Sequence, residues 1–245
     1  MQQNKDQIIT LPRELGDGLL LRSASPQDEE KLVAFDARIH SDAGPEQPDI
    51  YIGEWVRDLL TKPHPTFRPQ DFTVVEDTRT GEIVSSLNLI SQTWSYEGIR
   101  FGFGRPELVG TAEAYRNKGL IRAQFEVAHQ WSAQRGELVQ GITGIPYYYR
   151  QFGYEMTVDI GGGWMTSCAQ VPKLKPGEQE PYRVRPANEA DIVLIDRLYR
   201  QGCQRYALNC EWNESLWRYE LLGKHRDNVN RSELRIIESL EGQAV

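Results

Sequence analysis

The segment that decides the fold is Tyr115-Arg116-Asn117-Lys118-Gly119-Leu120-Ile121-Arg122. It follows an apolar strand pattern, Glu107 to Thr111, and it leads into an amphipathic helix pattern. A strand that enters a helix through a glycine-bearing turn leaves several backbone N–H groups directed at one point, where the helix dipole also favours negative charge. Arg116, Lys118 and Arg122 add positive charge there. The segment is therefore predicted to bind an anionic group such as a pyrophosphate.

The composition limits the ligand that this segment can serve. The chain has 245 residues, of which 26% are charged and 39% hydrophobic, and its formal net charge is −7. Such an acidic chain lacks the broad basic surface that binds nucleic acid or an anionic membrane. The polar start, Met1 to Asp6, does not have the pattern of a signal peptide, and no apolar run reaches about 18 residues. We therefore predict a cytoplasmic globular protein that binds one small anionic ligand, with neither nucleic acid nor membrane as a partner.

Cysteine and histidine are too scattered to predict a metal site. The three cysteines, Cys168, Cys203 and Cys210, cannot all pair within one chain, and they suit a reducing compartment. Cys203 and Cys210 are predicted to share one face of a helix, where they pack rather than bind zinc. The histidines have no ligand spacing (His40, His64, His129 and His225), so no metal is expected.

The first 165 residues have the pattern of a mixed α/β protein. Strands are predicted over residues 18–22, 72–76, 83–94, 99–111, 138–143 and 154–164. The strand 99–111 is expected to be interrupted near Gly102, Gly104 and Pro106. Helices are predicted from Pro26 through Ile39, with Ser25 as the N-cap, and over residues 51–60, 123–134 and 146–152.

Segments near the end of the chain resemble segments from its beginning, and they occur in the same order. Three segments align in sequence: Leu21–Asp28 with Val184–Asp191, Trp55–Leu60 with Trp217–Leu222, and Asp71–Glu76 with Glu233–Glu238. Four such matches, including the turns Thr80-Gly81 and Glu241-Gly242, at nearly constant spacing indicate an internal duplication. We predict a complete unit over residues 17–165, a linker over 166–181, and a partial second unit over 182–245 that lacks the anion-binding segment.

The two motifs of the first unit resemble those of the GNAT superfamily of acyl-CoA N-acyltransferases. The cofactor motif of that family, Gln/Arg-x-x-Gly-x-Gly/Ala, here reads Arg116-Asn117-Lys118-Gly119-Leu120-Ile121, with Ile121 in place of the last small residue. Its later motif, Tyr-x-x-apolar-Gly-Phe/Tyr, here reads Tyr149-Arg150-Gln151-Phe152-Gly153-Tyr154. The two apolar residues after Gly119 are similar to the enhanced-intracellular-survival branch, which has tandem acetyltransferase units with a degenerate second one. The resemblance implies a GNAT fold, with a mixed and mostly antiparallel sheet flanked by helices.

The resemblance also implies a role for each motif residue. The backbone of Val109, Gly110 and Thr111 should bind the pantetheine arm of the cosubstrate. The pyrophosphate should be bound by the loop residues Arg116, Asn117, Lys118, Gly119, Leu120, Ile121 and Arg122. Tyr149 should act as the general acid that protonates the leaving thiolate, as a phenol of ordinary pKa about 10 can. The alternative for Tyr149 is a core tyrosine whose hydroxyl is merely hydrogen-bonded.

The motifs do not identify the general base as directly as they identify the general acid. Glu107 is the candidate base or water-orienting group, because strand alternation predicts that it shares a face with Val109 and Thr111. The alternative is a solvated or salt-bridged strand carboxylate. In the survival-type branch this role belongs to a C-terminal carboxylate, for which this chain shows no counterpart. Aromatic residues of the predicted hairpin either line an acceptor pocket or pack in the core (Trp94, Tyr96, Phe101 and Phe103).

These features predict an N-acetyltransferase that uses acetyl-CoA and a primary amine, without a metal. The amine is expected to attack the thioester directly, and the acidic balance of the chain favours a cationic acceptor such as a polyamine, an aminoglycoside or a lysine side chain. Two alternatives stay open. One is an acyl-CoA binding or sensing module without turnover, and the other is a subunit of a homo-oligomer to which the second unit supplies an interface.

Overall fold

The computed structural model describes residues 8–158 and 167–244. The strands are β1 (Arg13–Gly16), β2 (Leu19–Ser23), β3 (Phe72–Asp77), β4 (Glu82–Tyr96), β5 (Ile99–Thr111), β6 (Glu137–Gln140), β7 (Tyr182–Pro186), β8 (Leu208–Cys210) and β9 (Arg235–Ser239). The α-helices are α1 (Glu29–Ile39), α2 (Ile50–Thr61), α3 (Leu120–Gln134), α4 (Ile192–Cys203) and α5 (Glu214–Arg218).

The central sheet has the strand order β1-β2-β3-β4-β5-β6, and β8 adds to the far end of β4. Its pairs are antiparallel except for β5 and β6, which run parallel because α3 crosses between them. β7 and β9 form a separate two-stranded sheet. The predicted fold class, a mixed and mostly antiparallel sheet flanked by helices, is confirmed.

Helices cover both faces of the central sheet. α1 and α2 bury Phe35 and Val56 against one face, where they meet Val74 of β3. α3 buries Val127 against the other face, where it meets Val75. The two valines are successive residues of one strand and therefore point to opposite sides. This alternation gives each helical layer its own apolar core.

β5 carries a bulge close to its end. The strand itself runs unbroken from Ile99 to Thr111, so the predicted interruption is wrong, although the pairing of β5 with β6 changes register between Gly102 and Phe103. The irregularity is at Leu108, which has a φ of +51°. There the pairing with β4 changes register, so that β5 contains one extra residue between Glu107 and Gly110.

The bulge changes the face on which Glu107 lies. Glu107 pairs with Asn88 and Gly110 pairs with Ser86, and directly paired residues share a face. Ser86 bonds to α1, and a side chain at Gly110 would lie 2.6 Å from Cγ2 of Ile39 in α1. Glu107 therefore faces α1. The prediction that Glu107 shares a face with Val109 and Thr111 is wrong, because the extra residue resets the alternation.

Several smaller predictions also differ from the structure. α3 begins three residues earlier than predicted, at Leu120, and β6 ends at Gln140. The segment 146–152 is a 3₁₀ turn over Tyr148–Phe152. Residues 154–158 form no strand, and the rest of that predicted strand lies outside the described residues. Cys203 ends α4 whereas Cys210 lies in β8, so the prediction of one shared helix face is wrong.

The segments that the repeat aligns have the same ion-pair network: Arg22 with Asp28 and Glu76, and Arg185 with Asp191 and Glu238. In each, the arginine donates to both oxygens of the aspartate at 2.7 and 2.8 Å and donates through Nε to the glutamate at 2.9 Å. Each aspartate also accepts a backbone N–H three residues before it, at 2.7 and 2.8 Å. The network ties a strand, the turn after it and the next strand of its sheet together.

Candidate active site

A cavity of about 620 Å³ lies where β5 separates from β6. β6 pairs with β5 only opposite residues 102–104, so no described strand covers that edge of β5 further on. Nine of the ten predicted cofactor-binding residues line this cavity, which we call the β5 cavity: Val109, Gly110, Thr111, Arg116, Asn117, Gly119, Leu120, Ile121 and Arg122. The predicted general acid Tyr149 lines it as well.

The loop and the start of α3 line the β5 cavity with backbone that has no side-chain cap among the described residues. Asn117 and Gly119 both have left-handed backbones, with φ of +63° and +75°. A side chain at Gly119 would meet no atom within 4 Å, so the backbone conformation rather than space favours glycine here. α3 starts at the next residue, and no side chain of the described residues caps it. The amides of its first turn therefore have no acceptor within the helix and are available to an anion.

The three basic residues of the loop have different surroundings. Arg116 is exposed and forms no ion pair within the described part of the chain. Lys118 does not line the β5 cavity, and its Nζ lies 5.3 Å from the ring centre of Tyr115. Arg122 lies against Phe152 and is 3.3 Å from Oε1 of Gln151. Arg122 thus joins α3 to the turn that carries Tyr149, and Arg116 is the cation left for a ligand.

Ile121, the residue that departs from the cofactor motif, packs into the core. It is half-buried at the start of α3 and packs against the cluster that contains Leu87 and Phe125. It also contributes to the wall of the β5 cavity. The side chain that replaces a small residue of the motif therefore has apolar neighbours of its own.

Tyr149 has a half-buried position in an aromatic cluster. Its ring meets Phe125 edge to face at a centroid distance of 6.0 Å, with Tyr148 and Tyr154 at 5.1 and 6.2 Å. Its hydroxyl forms no hydrogen bond with any described residue. Burial, with smaller contributions from Tyr148 and Glu107, raises the pKa of Tyr149 to about 12. The hydroxyl therefore stays protonated at neutral pH and is free to donate.

The turn around Tyr149 determines which two of three adjacent tyrosines line the cavity. Tyr147 has a φ of +64° and starts the turn, and Gly153, at +93°, ends it. Tyr148 and Tyr149 line the β5 cavity. Tyr147 does not, because its backbone turns the ring outward, where Arg150 lies over it at 4.7 Å.

Glu107 is buried in a salt bridge. Only 12% of its side chain is exposed, and Oε1 accepts a 2.6 Å hydrogen bond from Nε of Arg105. Burial raises the pKa of Glu107, and the nearby Arg105 and His40 oppose that rise. Glu107 does not line the β5 cavity. Of the two interpretations drawn from the sequence, the contacts are those of the salt-bridged carboxylate.

The sequence analysis missed the residues that α1 contributes to the site. Ile39 and His40, at the end of α1, line the β5 cavity. Nε2 of His40 lies 3.5 Å from Oδ1 of Asp36, which is fully buried. The available signal was the spacing of four residues between an aspartate and a histidine at a helix end, which places them on one face.

A second cavity, of about 720 Å³, has residues 55–105 on one side and residues 199–232 on the other. We call it the inter-unit cavity. Its walls include the hairpin residues Gln92, Thr93, Ser95 and Arg100 and the aromatic residues Trp55, Tyr199, Trp212 and Tyr219. None of the four aromatic residues proposed for an acceptor pocket lines it. Trp94 and Phe103 instead stack on each other, with their ring centroids 4.4 Å apart.

Most charges on the wall of the inter-unit cavity are paired. Arg100 donates to Glu211 at 2.6 Å, and Lys224 pairs with Glu220. Burial, and then the charge of Lys224, lowers the pKa of His64 to about 4, so its imidazole is neutral at pH 7. Within the described residues, the hydroxyl of Tyr219 is buried without a hydrogen-bond partner. The cavity therefore presents aromatic faces and neutral polar groups more than free charge.

The described residues contain no cluster of three or more histidine, cysteine or carboxylate side chains that could hold a metal ion. In the same residues, no helix is both long enough and apolar enough to cross a membrane.

Comparison with known proteins agrees with this geometry. The sequence profile of the acetyltransferase (GNAT) domain matches residues 21–157. The fold is similar to that of Saccharomyces cerevisiae N-myristoyltransferase with bound myristoyl-CoA, at a TM-score of 0.62 and 12% identity, over 100% of this chain and 59% of that one. It is also similar to a probable N-acyltransferase from Enterococcus faecalis V583, at 0.62 and 15%, over 92% of this chain and 53% of that one. No curated protein sequence matches significantly.

The chain thus spans between 53% and 59% of the length of those two structures. At 11–15% identity the likeness to solved structures concerns the fold. The chain belongs to the GNAT acetyltransferase family, whose domain profile covers more than half of it.

Proposed function

We propose that this protein transfers an acetyl group from acetyl-CoA to a primary amine by direct attack. The observation that carries the proposal is that the free edge of β5, the loop at Arg116 and the hydroxyl of Tyr149 line one cavity. A strand edge, an anion site and a proton donor are the three parts that thioester aminolysis on a long phosphorylated cosubstrate needs.

Two parts of the β5 cavity suit two parts of acetyl-CoA, the pantetheine arm and the pyrophosphate. The unpaired edge at Val109 and Thr111 would bind the pantetheine amides, as an added strand binds a sheet edge. The amides at Gly119 and the start of α3 would bind the pyrophosphate, with Arg116 as the charged contact. Asn117, Leu120 and Ile121 complete the loop around it. We keep Lys118 and Arg122 as outer contributors to the local positive charge, because each has a protein partner.

The proposed chemistry uses Tyr149 at the thioester. The amine nitrogen attacks the carbonyl carbon, the C–S bond breaks, and the departing sulfur takes a proton from the hydroxyl of Tyr149. A pKa of about 12 keeps that proton in place until a thiolate develops. Glu107, which sits on the α1 side of the bulge, would act as the water-orienting or charge-compensating carboxylate rather than as a group on the cavity wall.

The inter-unit cavity is our candidate acceptor site. Its aromatic residues Trp55, Trp212 and Tyr219 can bind an organic ammonium group through cation–π contacts. Arg105 lines this cavity and is bonded to Glu107, which connects the acceptor side to the bulge. A cationic aliphatic amine, such as a polyamine or a lysine side chain, suits this lining.

We also propose that residues 182–244 are part of a second GNAT-like unit without a cofactor loop, as in the survival-type branch, with 17–165 as the first unit and 166–181 as the linker. The matching networks around Arg22 and Arg185 support this assignment. A cytoplasmic location and a homo-oligomer remain predictions.

The test is a thiol-release assay with acetyl-CoA and a panel of polyamines, aminoglycosides and lysine peptides. Amine-dependent release of CoA with a matching acetylated product would support the proposal. Tight CoA binding without release from any amine would overturn it and would favour the binding-module alternative. Running myristoyl-CoA in parallel shows whether the protein accepts the longer acyl chain that the yeast structure binds.

A further inference from the structure

We propose that His40 is the proton acceptor for the attacking amine and that Asp36 positions it. This assignment rests on the proposed acetyl transfer to an amine. His40, at the end of α1, lines the same cavity as Tyr149 of the 3₁₀ turn. The site then has a proton donor on the 3₁₀ turn and a proton acceptor on the helix.

The orientation of the imidazole comes from its contact with Asp36. Nε2 of His40 is buried and lies 3.5 Å from Oδ1 of Asp36, while 24% of the whole side chain is exposed. Because Nε2 is buried beside the carboxylate, we assign the proton-accepting role to the other ring nitrogen, Nδ1. A proton on Nε2 faces the carboxylate, which leaves the lone pair of Nδ1 to accept a proton.

Asp36 is held from a second side by the sheet. It is fully buried, and Oδ1 accepts a 2.7 Å hydrogen bond from Oγ of Ser86 on β4. Oγ of Ser86 also lies 3.1 Å from the carbonyl oxygen of Leu108, the residue at the bulge. Ser86 therefore links the carboxyl group of Asp36, which orients His40, to the bulge of β5 at Leu108.

Several polar atoms at this point lack a protein partner. Oδ2 of Asp36, Nε2 of His40 and both amide atoms of Asn88 are buried without a hydrogen bond to any described residue. Asn88 pairs with Glu107 and faces the same side of the sheet. Unpaired buried polar groups cost stability and are rare in native proteins, so a bound water or ligand group is expected to complete the hydrogen bonds of these atoms.

His40 lies among charged and titratable groups from several elements. The titratable and charged groups that face it are Asp36 on α1, Glu107 on β5, Tyr148 and Tyr149 on the 3₁₀ turn, and Arg116 on the loop. Two of these are carboxyl groups, and the C-terminus of α1 adds a negative partial charge. Arg116 carries the opposite charge and is exposed.

His40 and Tyr149 together account for every proton that moves in the reaction. The ammonium group of the acceptor gives one proton to Nδ1 of His40 and becomes a neutral amine. After the amine attacks, the nitrogen loses a second proton, which replaces the one that Tyr149 gave to sulfur. His40 releases its proton to solvent at the exposed side of the cavity.

The experiment compares His40→Gln with wild type in thiol release from acetyl-CoA. The acceptors are the aliphatic amine of the panel that wild type acetylates fastest and hydroxylamine, which is already neutral at pH 7. General-base catalysis predicts a loss of kcat of about 10²-fold or more with the aliphatic amine and less than about tenfold with hydroxylamine. The Kd for CoA should stay within about threefold. His225→Gln, an exposed histidine outside both cavities, is the matched control.

Asp36→Asn tests the positioning role. It should lower kcat less than His40→Gln does and should displace the acidic limb of the kcat–pH profile, whereas a purely structural residue would leave that limb in place. Independently of turnover, bound CoA should protect His40 from diethyl pyrocarbonate, as measured by peptide mass spectrometry.

The outcomes separate the two proposals. Wild-type turnover that persists in His40→Gln with the aliphatic amine overturns the His40 assignment alone. Equal losses with both acceptors, or equal modification of His40 with and without CoA, also overturn it. Absence of thiol release from wild type overturns the acetyltransferase proposal, and the His40 assignment with it.

Discussion

Asn228 donates a 2.7 Å hydrogen bond from its side chain to the buried carboxylate of Asp58, which lies 170 residues earlier in the chain. The same carboxylate accepts the backbone N–H of His225 at 2.7 Å and pairs with Lys62 at 2.8 Å. A carboxylate on α2 therefore fastens the end of the chain to the first unit, beside the inter-unit cavity.

Asp58→Ala should destabilise the protein by about 2–5 kcal/mol, because it leaves buried donors and a lysine without their acceptor. It should raise KM for the amine and leave the Kd for CoA unchanged, since the β5 cavity does not include this contact. Urea unfolding and steady-state kinetics measure both effects. Asp227→Ala, which removes a more exposed carboxylate nearby, is the control. A loss of CoA affinity equal to the loss for the amine would contradict this division of the site.

Tyr149→Phe should lower kcat by about 10²–10⁴-fold while CoA binding stays within about twofold, because only the donated proton is removed. Tyr147→Phe, outside the cavity, should leave kcat near the wild-type value. Since the pKa of Tyr149 is about 12, its ionisation should not lower kcat up to about pH 10. A basic limb below that pH that disappears in Tyr149→Phe would refute the raised pKa.

Arg116→Ala should weaken CoA binding by about 10–100-fold, the usual effect of losing one charged hydrogen bond of about 1.5–3 kcal/mol. The difference from wild type should shrink as salt is added, because the site is exposed. Isothermal titration of CoA measures both. Arg226→Ala removes an exposed arginine elsewhere and should have no effect. Unchanged CoA affinity in Arg116→Ala would mean that the anion site is not at this loop.

Asp36→Asn should make the protein more stable relative to wild type as the pH rises from about 4 to neutral. Burial raises the pKa of Asp36 above its ordinary 3.8, so the folded protein holds more protons than the unfolded chain in the window between the two values. Wild-type stability therefore falls as pH rises through that window, and asparagine has no proton to lose. Thermal unfolding across this pH range tests the sign; a variant that loses stability relative to wild type on raising the pH would contradict it.

Ile121→Ala should cost about 1–3 kcal/mol, because the half-buried side chain packs against the cluster with Leu87 and Phe125. It should change the Kd for CoA by less than about threefold. Thermal unfolding and CoA titration on one preparation compare the two. If CoA bound tenfold more tightly to the variant, the isoleucine would be crowding the phosphate instead of serving the core.

Local pattern was sufficient for the parts of the site that lie close together in the chain. The loop from Arg116 to Arg122 and the turn with Tyr149 are each a short motif. Their proposed chemistry depends on local backbone conformations, which glycine positions and helix-start patterns in the sequence predict. The fold class followed from the order of strands and helices around them. The two motifs meet because α3 returns the chain to the sheet.

Other features depended on contacts between distant segments. The strand pattern could not place the extra residue at Leu108, because a bulge is defined by pairing with β4 and not by the β5 sequence alone. That single residue turned Glu107 to the α1 face. The hairpin pattern predicts that its aromatic residues line an acceptor pocket or pack in the core, but its polar residues Gln92, Thr93 and Ser95 line the inter-unit cavity, where residues of β8 and α4 form the other wall.

The sequence by itself determined the anion-binding loop and the tyrosine motif, since the physics of a helix start and of a tight turn is local. Only the tertiary structure decided which side chains share a cavity with them. His40 reaches the site because α1 packs against Gly110, which has no side chain to hold the helix away. Glu107 is kept from the cavity wall by a register shift that arises from pairing between strands.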